Sequence, residues 1–296
     1  MSERIGPYQV LGVLGQGAHS KIIHIRRASD SRQYALKLVP IGSKEDEKFL
    51  EQAELEYRVG QKLDHANLIR VFLLEKVRTL GFFGGIKEAR LLVEYVNGET
   101  LDRFRPLGLP RLVQVFEGVA AGMVHMHRRG VYHGDLKPNN ILLSRTGEVK
   151  VFDYGLAWVR GEAKGRIQGT PEYIAPEQLA RKCVTEHTDL FNFGATMYKL
   201  VTGKNTPSMM SGGGSLSQSA KAWQQILKPV RDLAPETPQP LAKLIEQCLA
   251  HNPQARPASM SEVQGTLSHL VDDLVTKADD QLENWDWGAD DLVAKK

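Results

Sequence analysis

Over the first hundred residues the apolar positions fall in short runs bounded by turn residues, and later they recur at spacings of three and four. Tyr8–Leu14, Lys21–Arg27 and Gln33–Val39 read as strands, since short runs rich in β-branched and aromatic residues suit a pleated surface. A glycine turn separates the first two, and Ser29-Asp30-Ser31 marks the next turn. The stretch 45–63 has helical spacing, with Phe49, Leu50, Ala53, Tyr57 and Leu63 on one side. Two more strand-like runs follow, Leu68–Val77 and Ala89–Val96, joined by a Gly-rich connection.

From about Leu109 helices dominate. Arg111–Arg129 is largely apolar, and Gly130 is placed to end it in a left-handed cap. Further helices are predicted at Pro176–Ala180, Thr188–Thr202, Leu241–Ala250 and Met260–Val275, and 208–220 reads as a polar loop. The change at Asn97-Gly98 predicts an α+β molecule of two lobes. Residues 1–97 would form a sheet with one helix, 98–276 a mainly helical lobe, and 277–296 an acidic tail.

Composition narrows the picture only a little. A chain of 296 residues can fill two lobes, and its net charge of +3 argues for neither nucleic acid nor a membrane surface. Its two cysteines, Cys183 and Cys248, form no metal-binding spacing, so a reducing, cytoplasmic compartment with structural thiols is expected. No apolar run is long enough to cross a bilayer. The chain stops at AKK after the acidic stretch, which also fits one domain of a longer protein.

The chemistry centres on HGDLKPNN, residues 133–140. Downstream, two apolar runs, Ile141–Leu143 and Val149–Phe152, flank a turn at 145–148. If this is a hairpin, Asn140 and Asp153 lie equally far from its centre at the same open end. An amide oxygen beside a carboxylate suits Mg²⁺, which keeps few protein ligands and takes the rest from phosphate and water. Asp135 is placed to accept a proton nearby, and Lys137 adds positive charge. Together these are the parts that phosphoryl transfer requires.

Here the chain resembles the eukaryotic-type (Hanks-type) serine/threonine protein kinases, from about Tyr8 to Leu270. The resemblance implies ATP with Mg²⁺ or Mn²⁺, and protein substrates with Ser or Thr acceptors. LGQGAHSKI would cover the phosphates, with Leu14, Gly15, Gln16, Gly17, Ala18, His19, Ser20 and Ile22 at the nucleotide. Lys37 would hold the α- and β-phosphates and pair with Glu56, while Ala35, on the same strand face, touches adenine. Val93 matches the gatekeeper, the backbone of Glu94 and Val96 would bind adenine, and Leu142 would close the pocket from below. Asp135 and Lys137 take catalytic roles, and Asn140 and Asp153 (in Asp153-Tyr154-Gly155) take metal-binding ones. Thr170, in GTPEYIAPE, would bond Asp135 and Lys137. Asp189 and Arg256 are expected to brace the fold, Arg256 by pairing with Glu177. His125 and His127, two apart on a helix, diverge and are not expected to form a metal site.

Departures from the family pattern carry their own expectations. Ser20 stands where a third loop glycine is usual. Gly134 replaces the Arg that normally pairs with a phosphorylated residue, and 153–169 reads DYGLAWVRGEAKGRIQG, without Ser or Thr. Phosphate receptor and phosphate site are missing together, which predicts activity without phosphorylation of this segment, ordered instead by Trp158 and Ile167 or by a partner. Tyr154 replaces the usual Phe, and Gly60 leaves a position empty in the side-chain stack His133–Tyr154–60–Val71. The helix bearing Glu56 is therefore expected to be weakly held, with its pair to Lys37 incompletely formed. A pseudokinase-type nucleotide-binding scaffold is the alternative function, and a small-molecule phosphotransferase fits GTPEYIAPE poorly. The two tryptophans of the tail could dock on a groove.

Overall fold

The computed structural model describes residues 3–17, 19–79, 85–104, 106–162, 168–181, 184–210 and 219–279. Ala18, Ile167, Cys183, most of the 208–220 stretch and the tryptophan-bearing tail lie outside these residues. The N-terminal part is a six-stranded antiparallel sheet in the order β1-β2-β3-β4-β6-β5. Its strands are β1 (Arg4–Ile5), β2 (Tyr8–Gln16), β3 (Lys21–Arg27), β4 (Gln33–Pro40), β5 (Val71–Arg78) and β6 (Ile86–Glu94). Between β4 and β5 runs helix α1 (Glu47–Gly60). Asp46 prepares its start, the Oδ2 atom accepting from the backbone N–H of Gly42 at 2.9 Å and Ser43 at 3.0 Å, so donors ahead of the helix are satisfied.

The C-terminal part is mainly helical, and the α+β division expected from the sequence is present. Its helices are α2 (Leu109–Arg128), α3 (Pro176–Arg181), α4 (Glu186–Thr202), α5 (Ala220–Ile226), α6 (Val230–Leu233), α7 (Gln239–Cys248) and α8 (Met260–Asp279). Helix α2 is apolar on nearly all sides because it is central, burying Val113, Phe116, Val119, Met123 and Met126 completely. Gly130 ends it at φ +68°, its N–H donating to His127 O at 2.9 Å. One core cluster runs from Val59, Val71 and Leu91 beneath the sheet into α2, α4 and α7. Cys248 is fully buried in it, and burial pushes its thiol up to about 12, which makes it inert.

The short strands β7 (Gly98–Thr100), β9 (Ile141–Ser144) and β10 (Val149–Val151) form a second sheet, and β8 (Val131–Tyr132) pairs with β11 (Trp158–Val159). The β9–β10 hairpin forms as expected, but its register is one residue tighter. Val149 faces Leu143, and Phe152 N donates to Asn140 O at 3.0 Å. Asn140 therefore sits opposite Phe152, with Asp153 one residue beyond at a left-handed φ of +67°.

The expectation of a gap at Gly60 is overturned. A Cβ at Gly60 would lie 2.4 Å from Val71 Cγ2 and 2.5 Å from Val71 Cβ. The missing side chain lets β5 close directly onto the helix backbone. Gln61 Nε2 adds a bond to Val71 O at 2.6 Å. Tyr154 is fully buried, and its hydroxyl donates towards both Ile69 O and Val151 O at 3.1 Å. His133 meets its ring edge-on at 6.2 Å. Close approach replaces the side-chain stack, and helix α1 is held.

Gly60→Ala is therefore expected to destabilise the protein by about 1–3 kcal/mol, although alanine favours a helix by about 1 kcal/mol. Val71→Ala in the same chain should recover part of the loss, because it removes Val71 Cγ2, the nearest clashing atom, while Cβ remains. Thermal unfolding of both variants checks this, and a more stable Gly60→Ala would show that space exists there after all.

Candidate active site

The site forms where β9–β10 and the segment before them meet the underside of the sheet. Lys37 on β4 lies opposite Ile22 on β3, and Ala35 lies opposite Val93 on β6. Directly paired residues share a sheet face, so Ile22, Ala35, Lys37 and Val93 look the same way. Leu14, Gly15 and Gln16 lie at the end of β2, where Gly15 pairs with Ile22. The turn beyond is closed by Gly17 N donating to Ser20 O at 2.8 Å. His19 is exposed, its ring stacked on Phe49 of α1 at 3.9 Å. Glu94 ends β6 with its side chain turned to Lys150 Nζ at 2.7 Å. Val96 follows it, and Leu142 on β9 is half-buried against the core.

Lys37 Nζ donates to Glu56 Oε2 at 2.7 Å and to Asp153 Oδ1 at 3.1 Å. The pair expected to be incomplete is thus formed, because Val71 and Tyr154 fix the helix that carries Glu56. Burial alone would favour the neutral amine, but Asp153 and Glu56 hold the Lys37 pKa well above its ordinary value. Burial pushes the Glu56 carboxyl up against the pull of Lys37. Burial pushes the Asp153 carboxyl up as well, but Lys37 overcomes this and holds it below its ordinary value.

A second constellation surrounds Asp135. Its Oδ2 accepts from Lys137 Nζ at 2.7 Å, and its Oδ1 accepts from the Thr170 N–H and hydroxyl, each at 2.9 Å. Lys137 Nζ also reaches Thr170 Oγ1 at 2.7 Å. Asn140 donates through Nδ2 to Asp135 O at 2.9 Å, which fixes the amide and leaves Oδ1 as the oxygen that could meet an ion. That oxygen and the ionised Asp153 carboxylate make a hard, oxygen-only donor set of the kind Mg²⁺ prefers. Among the described residues no group of three or more His, Cys, Asp or Glu could hold a metal unaided. A two-oxygen set leaves most positions around such an ion to other oxygen ligands.

The catalytic loop hangs from one carboxylate. Asp189 on α4 is fully buried and accepts from His133 N, Gly134 N and His127 Nε2, all at 2.8 Å. Arg256 forks onto Glu177 at 2.7 and 2.9 Å, as a bracing residue should. His125 and His127 do diverge, His125 Nε2 accepting from Asp64 N at 3.2 Å. Sequence reasoning missed Gln178, whose amide joins the catalytic loop to the segment before Thr170. It also missed the forked pair of Arg58 on α1 with Glu162, which follows β11. The only signal for Gln178 was a polar pair, Glu177-Gln178, within the otherwise apolar stretch YIAPEQLA.

Burial would lower the His127 pKa, but Asp189 and Glu186 reverse this and raise it to about 9 from 6.5. A folded pKa above the unfolded one means stability fully present below about pH 6.5 and lost as pH rises through about 9. Urea unfolding at pH 6, 7.5 and 9.5 should show a loss on the order of 3 kcal/mol across this window. The loss should shrink in His127→Gln, and equal slopes in the two proteins would refute the assignment.

Comparison with known proteins agrees with this geometry. Residues 8–268 match the family model for the protein kinase domain. The chain is 24% identical over 275 residues to the serine/threonine-protein kinase PrkC of Bacillus subtilis, covering 90% of this chain and 41% of that protein. It is 29% identical to PknA of Mycobacterium tuberculosis, covering 86% and 60%. It is also 29% identical to pkn3 of Myxococcus xanthus, covering 88% and 49%. The chain thus spans about two-fifths to three-fifths of the length of these relatives. Family match, lobed architecture and the Lys37, Asp135 and Asp153 constellations agree: the chain belongs to the protein kinase domain family.

Proposed function

We propose that this chain is an active serine/threonine protein kinase, transferring the γ-phosphoryl group of ATP to a hydroxyl of a protein substrate. The observation that carries the reading is the joint of Asp135, Lys137 and Thr170: Asp135 Oδ1 and the Lys137 ammonium meet at Thr170, while Asp135 Oδ2 holds Lys137. In the reaction Asp135 orients the acceptor hydroxyl and takes its proton. Lys137 offsets negative charge on the moving phosphoryl group. Lys37, held by Glu56, positions the α- and β-phosphates, and Ile22, Ala35, Val93 and Leu142 enclose the adenine. Asn140 and Asp153 would hold Mg²⁺, which would supply positive charge to offset that of the phosphates. Residues 1–97 then form the nucleotide-binding lobe, and 98–276 carry the catalytic loop, the activation segment and the substrate-binding surface. The names of the curated relatives, all serine/threonine kinases, support the substrate class.

We further propose that activity needs no phosphate on the activation segment. Residue 134 is glycine, at φ +73°, so the chain has no arginine here to receive one. Other contacts fix the described parts of the segment. Trp158 and Val159 pair with Tyr132 and Val131, and Arg160 N donates to Gly130 O at 2.7 Å. The Arg58–Glu162 fork ties the segment to α1, although an exposed pair of this kind contributes little alone.

Asp135→Asn and Lys37→Met should each reduce phosphorylation of a generic protein substrate by about 10²–10⁴-fold. Labelled ATP with Mg²⁺ checks this, and wild-type turnover in Asp135→Asn would defeat the catalytic assignment. Phosphatase-treated enzyme, its dephosphorylation confirmed by mass spectrometry, should retain its rate within about twofold. A large loss that tracks a phosphate on Thr170 would overturn the claim of independence.

A further inference from the structure

Gln178 lies on α3, one residue after the Glu177 that pairs with Arg256, and its side chain is almost fully buried. Its Nε2 donates to Gly134 O at 3.1 Å and to Gln168 O at 2.7 Å, while its Oε1 accepts from Ala175 N at 3.3 Å. One amide group therefore touches the catalytic loop one residue before Asp135, the segment two residues before Thr170, and the backbone just ahead of α3. Both bridged atoms are carbonyl oxygens, and only a group with two N–H donors can serve both. The opposite orientation of the amide would set its oxygen against two carbonyls and its nitrogen against an N–H.

The surroundings are built around this bridge. Gly134 is held on its other side, its N–H donating to Asp189 Oδ1 at 2.8 Å. Its peptide units are thus fixed from both directions. Gly169 adopts φ +143°, and a Cβ there would lie 3.2 Å from Gln178 Nε2. The glycine lets the segment pass close to the amide. A side chain at Gly134 would meet Leu156 O at 3.3 Å and Val184 Cγ1 at 3.5 Å.

We propose that Gln178 is a positioning residue: its amide latches the activation segment to the catalytic loop and does with neutral hydrogen bonds what an arginine–phosphate pair would otherwise do. The inference rests on the kinase reading given above and adds the residue that makes a phosphate unnecessary. The latch acts through Asp135 and Thr170, whose bond it keeps in register, and it touches neither nucleotide nor acceptor. Gln178→Met keeps the volume and removes both donors. Gln178→Glu keeps the shape and places a carboxylate against two carbonyls.

The test compares unphosphorylated wild type with Gln178→Met and Gln178→Glu in three readouts: steady-state kinetics, ADP affinity, and amide hydrogen exchange over residues 168–175. Both variants should lose at least tenfold in kcat, Gln178→Glu more, with KM for ATP and ADP affinity within about twofold. Exchange over 168–175 should accelerate at least tenfold in the variants and be slow in wild type. Unchanged kcat, or a fall in kcat matched by lost ADP binding, would overturn the latch. Should neither variant fold, fast exchange over 168–175 in wild type would overturn it and slow exchange would support it. If wild type proves inactive while binding ADP, the kinase reading fails, and exchange in the variants still decides whether the amide holds the segment.

Discussion

A carboxylate buried without solvent must be fully satisfied, and Asp189 meets that condition with donors that belong to the catalytic loop. Two of its three partners are the successive backbone N–H groups of His133 and Gly134, and the third is His127. The chain at Gly134 is thereby held in a left-handed turn that glycine adopts without strain. That turn presents Asp135 to Lys137 and Thr170. Removing one partner from such a buried network typically costs about 3–5 kcal/mol, so the loop cannot drift without destabilising the helical lobe. The catalytic geometry is thus tied to the core of α4.

From this anchor the site extends in two directions. Towards the sheet, His133 meets Tyr154, whose hydroxyl closes on Ile69 and Val151, and the strand after Ile69 packs on Gly60 of α1. That contact places Glu56 at Lys37. Towards the substrate side, Gln178 and Thr170 join the loop to the segment, and Glu177 with Arg256 fixes the helix behind them. Both directions rely on packing, hydrogen bonds and largely buried ion pairs, which salt screens less than surface ones.

Much of this was legible in the chain. The spacing of HGDLKPNN and the hairpin after it pointed to Asp135, Asn140 and Asp153 through local chemistry and turn residues, and the resemblance of GTPEYIAPE to the kinase pattern pointed to Thr170. Gly60 misled, since its missing side chain suggests a gap when read alone. How closely β5 approaches the helix is a tertiary distance, and that distance decides the matter. The hairpin register was one residue off because a turn signal marks a turn's neighbourhood and not its closing pair. Gln178 went unremarked because its partners are backbone carbonyls, which every residue carries. The short helices α5 and α6 are too brief to impose a period on the sequence.

The central claim is that the unmodified, ligand-free chain already holds Thr170 on Asp135 and Lys37 on Glu56. A crystal structure of protein shown by mass spectrometry to carry no phosphate, and grown without nucleotide, tests it most directly. The account predicts hydrogen-bonded contacts at both places, with the Gln178 amide between Gly134 O and Gln168 O. A segment swung away from Asp135, or Glu56 turned out of reach of Lys37, would contradict it.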